Sequence, residues 1–384
     1  MNPNIIQSKF TELFDKKPIV VKSPGRINLI GEHTDYNEGF VLPAAIDKEI
    51  VIAIQKNGSQ ECRLFSHDFH ESLTFDLDDF ERMNGGWGNY VMGVVAQLQK
   101  AGYELEGFDL VFGGDVPVGA GLSSSAALEN GVCLALSELF GLGLERLAML
   151  KYAQKAEHEF AGVQCGIMDQ FASMMGKDNH AIRLDCRSLE FNYFPIELGN
   201  YQIILCDTQV KHSLADSAYN DRRRECHEGV EAIQKYHPSV QSLRDVTVDM
   251  LDEVKADVSE VVYTRCKYVI EENERLLKGC ELLEQGDIKG FGQQMYGSHD
   301  GLSKMYEVSC KELDFLADFA KSKETVAGAR MMGGGFGGCT INLVEKAHKA
   351  TFEKEVAAAY KDEFGTDLQI YEVAVTDGTR VMAE

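Results

Sequence analysis

Five polar side chains that could bind or activate a substrate are concentrated near the N-terminus of the chain. They are Arg26, Asn28, Glu32, His33 and Asp35, all within ten residues. At this density they can exchange several hydrogen bonds with a polyol. They could also line a metal site, although one histidine and two carboxylates are few ligands for a closed cage. A solvated turn with an incidental salt bridge is a third interpretation, and the segment alone does not decide among them.

A second candidate is the glycine- and serine-rich segment Gly119-Ala-Gly-Leu-Ser-Ser-Ser125, between a predicted strand and a predicted helix. Glycines permit close backbone approach, and the unpaired N–H groups at a helix N-terminus suit a phosphate. The three hydroxyls could donate to phosphate oxygens, bind Mg²⁺ or cap the helix. A phosphate loop and an ordinary capped helix are both compatible with this segment.

The glycine run from Gly333 to Gly338 formally matches the dinucleotide-binding pattern G-x-G-x-x-G. That pattern requires a helix directly after the glycines, whereas 339–344 predicts a strand. We therefore reject a dinucleotide site, and with it a dinucleotide-dependent oxidoreductase. A glycine run between two strands predicts a hairpin turn or a close approach of the backbone to a ligand.

The elements that must position these residues change in character along the chain. Short strands are predicted before residue 115, helices follow one another from about 215 to 320, and strands return after 325. Interleaved helices and strands without βαβ regularity predict an α+β chain with mixed sheets. We expect an N-terminal domain over 1–195, with the polar cluster and the phosphate loop, and a C-terminal α+β domain over 196–384, with the glycine run.

Composition narrows the class of protein. The 384 residues include 38 Lys and Arg against 61 Asp and Glu, a formal net charge of −23. Such a field repels nucleic acid and anionic membranes. Ten scattered cysteines predict reduced thiols rather than disulfides or a zinc site. With no apolar leader and no apolar stretch long enough to span a bilayer, we expect a cytoplasmic protein.

The polar cluster, read as 24–37, resembles the signature of the galactokinases. Residues 119–127 are similar to the phosphate loop shared by the wider family of galactokinase, homoserine kinase, mevalonate kinase and phosphomevalonate kinase, and 331–338 resembles the third motif of that family. Two further stretches, 156–170 and 210–226, resemble galactokinases themselves. The five motifs occur in the family order, from about residue 20 to the C-terminus.

This resemblance implies a fold and an activity. The fold would be a two-domain α+β small-molecule kinase of the galactokinase, homoserine kinase and mevalonate kinase type, with mixed sheets, helices and an active site in the interdomain cleft. The activity would be transfer of the γ-phosphate of ATP to the C1 hydroxyl of D-galactose, giving galactose 1-phosphate and ADP in the first committed step of the Leloir pathway. ATP is then a co-substrate and Mg²⁺ the cofactor, and no nucleic acid, membrane or protein partner is implied.

The resemblance also assigns roles to residues. Asp169 would be the catalytic carboxylate, with Arg26 as its partner. The sugar would be bound by Glu32, His33, Thr34, Asp35, Gly166 and Tyr219. ATP would bind the loop formed by Gly119, Ala120, Gly121, Leu122, Ser123, Ser124 and Ser125. Mg²⁺ would be held by Ser125 and Glu157, which supply the hard oxygen ligands that this ion prefers.

Two alternatives remain within this resemblance. One is an N-acetylgalactosamine kinase, which differs from galactokinases around the segment Thr34-Asp-Tyr-Asn37, where this chain has the galactose-type residues. The other is a non-catalytic galactose-sensing regulator, since such proteins can lose residues of the serine loop. Here 123–127, Arg26 and Asp169 are all intact, which favours an active enzyme.

Overall fold

A computed structural model describes residues 2–210 and 215–382. Residues 211–214, part of the 210–226 motif, lie outside this description. The helices are α1 (Pro3–Phe14), α2 (Gly88–Lys100), α3 (Ser124–Phe140), α4 (Arg146–Ala156), α5 (Met168–Met175), α6 (Ala215–Gln234), α7 (Val248–Glu253), α8 (Glu260–Glu284), α9 (Ile288–Lys304), α10 (Lys311–Lys321) and α11 (Lys349–Phe364). The strands are β1 (Ile19–Asn28), β2 (Phe40–Val41), β3 (Pro43–Lys56), β4 (Glu61–Ser66), β5 (Glu71–Asp76), β6 (Phe108–Gly114), β7 (His180–Asp185), β8 (Phe191–Pro195), β9 (Tyr201–Asp207), β10 (Val326–Met331), β11 (Cys339–Glu345), β12 (Gln369–Val373) and β13 (Arg380–Val381).

The first half of the chain is built on a six-stranded sheet with the order β13-β1-β3-β6-β4-β5. The pairing of β4 with β6 is parallel and the other pairs are antiparallel, so the sheet is mixed, as the sequence predicted. Side chains along the central strand β3 alternate between the two faces of the sheet, and both faces are buried. Val51 and Ala53 pack under α1, whereas Ile52 and Ile54 belong to the main core with α2 and α3.

The second half is built on a four-stranded antiparallel sheet with the order β10-β11-β9-β12. One face, with Leu205 and Ile341, joins the main core, and the other, with Ile204 and Val344, packs on α10 and α11. The glycine run 333–338 connects β10 to β11, which confirms the predicted hairpin turn.

The chain crosses between the halves again at its C-terminal end. After β12, Val375 bridges to Ile46 and β13 pairs with β1, so the last described residues complete the first sheet. A three-stranded sheet, β2-β7-β8, lies beside the first sheet. Within 2–210 and 215–382, every helix is too short or too polar to cross a lipid bilayer.

Candidate active site

Arg26 is directed into the site by an irregularity in β1. The register between β1 and β3 shifts between Pro24 and Arg26, which marks a bulge. The backbone here lies against the phosphate loop, because Arg26 donates its N–H to the carbonyl of Leu122 at 3.1 Å. A Cβ on Gly25 would come within 2.7 Å of that carbonyl, so only glycine fits at this position.

Arg26 and Asp169 form a bidentate ion pair between β1 and the first turn of α5. Arg26 Nε donates to Asp169 Oδ1 at 2.7 Å and Nη2 donates to Oδ2 at 2.9 Å. Burial alone would lower the pKa of Arg26, but the carboxylates of Asp169, Glu32 and Asp35 outweigh it and raise the pKa. The guanidinium is therefore charged throughout, and its fork geometry fixes the plane of the Asp169 carboxylate.

The phosphate loop meets the same pair. Gly119 and Gly121 have φ values of +82° and +77°, which L side chains rarely adopt. The carbonyl of Gly121 accepts from Arg26, and the hydroxyl of Ser123 donates to Asp169 Oδ2 at 2.5 Å. Ser123 precedes α3 but makes no side-chain capping bond. The capping interpretation of this serine is therefore wrong, and the first N–H groups of α3 remain available to an anion.

Ser125 and Glu157, the predicted metal ligands, lie together. The Ser125 hydroxyl is near enough to the Glu157 carboxylate to act on its pKa, and Gln170 Nε2 donates to Glu157 Oε2 at 2.6 Å. Burial and the nearby charge of Asp169 raise the pKa of Glu157. The sequence predicts one helix over 144–160, but α4 ends at Ala156 and Glu157 begins a π-helical turn, Glu157–Ala161. Such single turns are frequent at functional sites.

Glu32 and His33 follow β1 and contact the glycine run. Glu32 Oε1 accepts the backbone N–H of Gly333 at 2.8 Å. His33 Nε2 lies 3.2 Å from the carbonyl of Gly334, and Nδ1 lies 2.8 Å from the hydroxyl of Tyr36. Burial lowers the pKa of His33 to about 3, aided by the positive charge of Arg222. The imidazole is therefore neutral, and the carbonyl assigns its proton to Nε2.

Asp35 faces Gly166 across the site. A Cβ on Gly166 would lie 1.7 Å from Asp35 Oδ2, so the missing side chain makes room for this carboxylate. Burial and the charge of Asp169 raise the pKa of Asp35 to about 6. Gly166 and Asp35 were both predicted to bind the sugar, and the structure brings them into direct contact.

Tyr219 and Thr34 occupy different positions relative to the site. Tyr219, on α6, packs its ring 5.5 Å from the ring of His33 and lines the cavity. Thr34 is fully buried, and its hydroxyl donates to the carbonyl of Phe40 at 2.5 Å. Thr34 therefore lies behind the cavity wall, where it holds the turn that presents Asp35.

Most of these residues line one cavity of about 240 Å³, a size that suits a small molecule, whereas Thr34 and the loop residues 119–125 are not part of its lining. Its walls come from both halves of the chain: Arg26, Glu32, His33, Asp35, Glu157, 162–166, Met168, Asp169, Tyr219, Asn220 and 333–336. Gly335 lines the cavity, but its steric requirement lies on the other side, where a Cβ would meet the carbonyl of Val308 at 2.1 Å. Four carboxylates at the wall disfavour an anionic sugar and suit a neutral polyol.

Three family models match the chain. They are the galactokinase galactose-binding signature over residues 8–56, the GHMP kinases N terminal domain over 89–177 and the GHMP kinases C terminal domain over 280–362. A galactokinase from Roseiflexus sp. (strain RS-1) is 42% identical over 381 residues, which is 98% of this chain and 97% of that protein. The chain belongs to the galactokinase family.

Further relatives agree with this membership. A galactokinase from Thermotoga maritima is 42% identical over 360 residues, which cover 94% of this chain and 99% of that protein. The crystal structure of Lactococcus lactis galactokinase complexed with galactose superposes with a TM-score of 0.95 at 36% identity, covering 99% of both chains. Methanococcus jannaschii mevalonate kinase, at 19% identity and a TM-score of 0.69 over 94% of this chain and 99% of its own, shares the fold. Galactokinases are ATP-dependent sugar kinases, so this chain is an ATP-dependent sugar kinase.

Sequence reasoning missed two residues of this galactokinase-family site. Arg330, on β10, is fully buried and donates from Nη2 to Glu32 Oε1 at 2.8 Å. Cys165 lines the cavity and its thiol lies 3.4 Å from Glu157 Oε2. The motif 331–338 begins one residue after Arg330, and Cys165 lies inside the motif 156–170, which does not by itself assign a role to this thiol. No local sequence pattern indicates that the side chains of Arg330 and Cys165 reach the site.

Proposed function

We propose that the chain transfers the γ-phosphate of ATP to the anomeric C1 hydroxyl of D-galactose. The observation that carries this proposal is the Arg26–Asp169 pair, which lies at the wall of a polar cavity and is hydrogen-bonded to the phosphate loop. Phosphoryl transfer requires an oriented hydroxyl and neutralisation of charge on the transferred group. The pair offers both beside a loop suited to phosphate.

In this proposal Asp169 accepts the proton of the C1 hydroxyl or orients that hydroxyl for in-line attack. Arg26 keeps the carboxylate in place and stabilises the negative charge that develops at the phosphate. A positioned base is typically worth about 10²–10⁴-fold in rate. Glu32, His33, Asp35, Gly166 and Tyr219 would bind the other hydroxyls, and Thr34 would act indirectly by holding the turn.

We further propose that Mg²⁺ is held by Ser125 and Glu157. A hydroxyl and a carboxylate fit this ion, which commonly takes one or two protein oxygens and completes its shell with water and substrate phosphate. Burial and the charge of Asp169 raise the pKa of Glu157, and a bound cation would offset both effects. Bound there, the ion would neutralise charge on the phosphates. No cluster of three or more His, Cys, Asp or Glu side chains that could hold a metal occurs among 2–210 and 215–382.

We also propose that the halves are two domains, 1–195 and 196–384, with the cavity at their junction. The cavity walls come from both ranges, which supports this division, and residues after β12 would then be a tail that returns to the first domain. A cytoplasmic location is part of the proposal, and ten free cysteines suit a reducing compartment.

A sugar panel tests the proposed activity. Galactose, glucose and N-acetylgalactosamine are each assayed with ATP and Mg²⁺, and the kcat/KM values are compared. Galactose should be strongly preferred over glucose, its C4 epimer, because buried polar groups would be left unpaired by the wrong epimer. Comparable values for these two sugars would contradict the proposal. Preference for N-acetylgalactosamine would favour that kinase, and galactose binding without turnover would favour a sensor.

A further inference from the structure

Arg330 is a fully buried cation whose donors are all directed at the segment that carries the sugar-binding residues or at its own strand. Nε donates to the carbonyl of Leu29 at 2.9 Å and Nη1 to that of Met331 at 2.8 Å. Nη2 donates to the carbonyl of Asn28 at 2.7 Å and to Glu32 Oε1 at 2.8 Å. A planar fork with several donors can make these bonds at once, whereas a lysine ammonium cannot.

Glu32 shows what this arrangement does to the cavity. Its side chain is only 2% exposed, and a buried carboxylate needs a compensating charge and hydrogen bonds. Arg330 and the N–H of Gly333 both donate to Oε1. Among the described residues no donor reaches Oε2, which leaves this oxygen for a substrate hydroxyl. The bond from Arg330 thus fixes which oxygen of Glu32 is presented to the cavity.

The contact also joins the two sheets. Arg330 lies on β10 in the second sheet, and its partners are Asn28, the last residue of β1 in the first sheet, and Leu29, which follows it. The hydroxyl of Tyr268, on α8, donates to the backbone carbonyl of Glu32 at 3.1 Å from the same side. The position of Glu32 is therefore set by the second half of the chain.

We propose that Arg330 is a positioning residue that determines sugar affinity through Glu32. This inference rests on the proposed function, because it assumes that Glu32 binds a hydroxyl of galactose. Arg330 does not line the cavity, so its effect on the sugar passes through the carboxylate. Replacing it with lysine keeps the charge but gives up the simultaneous bonds, and Glu32 loses its fixed orientation.

A matched control exists in Arg265 on α8. Like Arg330, it is buried, with 5% of its side chain exposed. It donates to the backbone carbonyl of Met305 and, at 2.5 Å, to the carboxylate of Glu307. It does not line the cavity. Arg265→Lys should lower the thermal stability and leave galactose affinity unchanged, which separates a general loss of packing from an effect on Glu32.

The test measures equilibrium dissociation constants for galactose, and separately for ATP, in wild type, Arg330→Lys, Glu32→Gln and the double variant. Arg330→Lys should weaken galactose binding about tenfold or more, as expected for loss of a charge-assisted hydrogen bond, with ATP binding unchanged. In the Glu32→Gln background, Arg330→Lys should weaken galactose binding little further, because its effect depends on the negative charge of Glu32, which this background lacks. Circular dichroism and the ATP constant verify that each variant is folded.

A folded Arg330→Lys variant with the galactose affinity of the wild type would overturn the inference. So would independent, multiplicative losses in the double variant, or an equal loss of galactose affinity in Arg265→Lys. If Arg330→Lys does not fold, the cycle is measured with Arg330→Gln on the same criteria. If the wild-type protein binds no galactose, the proposed function is contradicted instead. The same four proteins, measured with the hexose that does bind, would then still decide the role of Arg330.

Discussion

Adding a single methyl group at Gly166 should disable the sugar site without touching the catalytic pair. The Cβ of Gly166→Ala would lie 1.7 Å from Asp35 Oδ2 and 2.4 Å from Cγ, so the carboxylate must rotate away. The φ of Gly166 is not positive, so the backbone itself accepts alanine. A hydrogen bond to a charged group contributes about 1.5–3 kcal/mol, which corresponds to a rise of about 10- to 150-fold in the KM for galactose.

The assay is steady-state phosphorylation at varied galactose and saturating ATP, with thermal unfolding measured in parallel. Gly297→Ala is the control, because its Cβ would meet only the Cδ of Arg275 at 3.4 Å, within a helix that tolerates alanine. In an Asp35→Ala background the two contacts with the carboxylate are absent and only the 3.1 Å contact with the Cβ of residue 35 remains, so Gly166→Ala should raise the KM little further. An unchanged KM in Gly166→Ala would refute the account of this wall of the cavity, as would a rise in Gly297→Ala of the same size.

Two further predictions concern charge in the site. Glu157→Gln should lower kcat and raise the Mg²⁺ concentration needed for half-maximal rate, while galactose binding without nucleotide stays near wild type. The control is Glu159→Gln, which changes a nearby exposed carboxylate paired with Lys100. A loss of galactose affinity in Glu157→Gln as large as its loss of kcat would place Glu157 in the sugar pocket instead. Because burial and Asp169 raise the pKa of Asp35 to about 6, and the ionised form is the better acceptor, galactose affinity should be constant above about pH 7 and fall as pH drops through about 6. Asp35→Asn should remove that step, and a pH profile with the same step in this variant would assign the titration to another group.

The fold was largely predictable from sequence because its elements have strong local signals. The apolar residues within 201–207 predict a strand, and β9 has these limits. For β1 the sequence predicts a strand over 18–22 only, because Pro24 and Gly25 indicate that the strand ends. The structure continues it to Asn28 through a bulge, and that bulge is what directs Arg26 into the cavity.

The candidate site was predicted through motifs, and its contacts were not. The run of serines indicates a cap or a phosphate contact, yet Ser123 donates to Asp169, a residue 46 positions away. Arg330 is separated from Glu32 by 298 positions, and its burial depends on a carboxylate that no local pattern associates with it. Pairs at such separations follow from tertiary packing, which a single sequence does not encode in readable form.

The central claim is that Asp169 and Arg26 act as one unit in phosphoryl transfer to galactose. The most direct measurement is kcat together with galactose dissociation for Asp169→Asn, which keeps the shape and removes the charge and the proton acceptor. The account predicts a fall in kcat of at least about 100-fold with a much smaller change in galactose affinity. It also predicts that Arg26→Lys lowers kcat far less in the Asp169→Asn background than in the wild type, because the effects of substitutions within one catalytic unit are not additive. A folded Asp169→Asn enzyme that retains most of its kcat would contradict the claim.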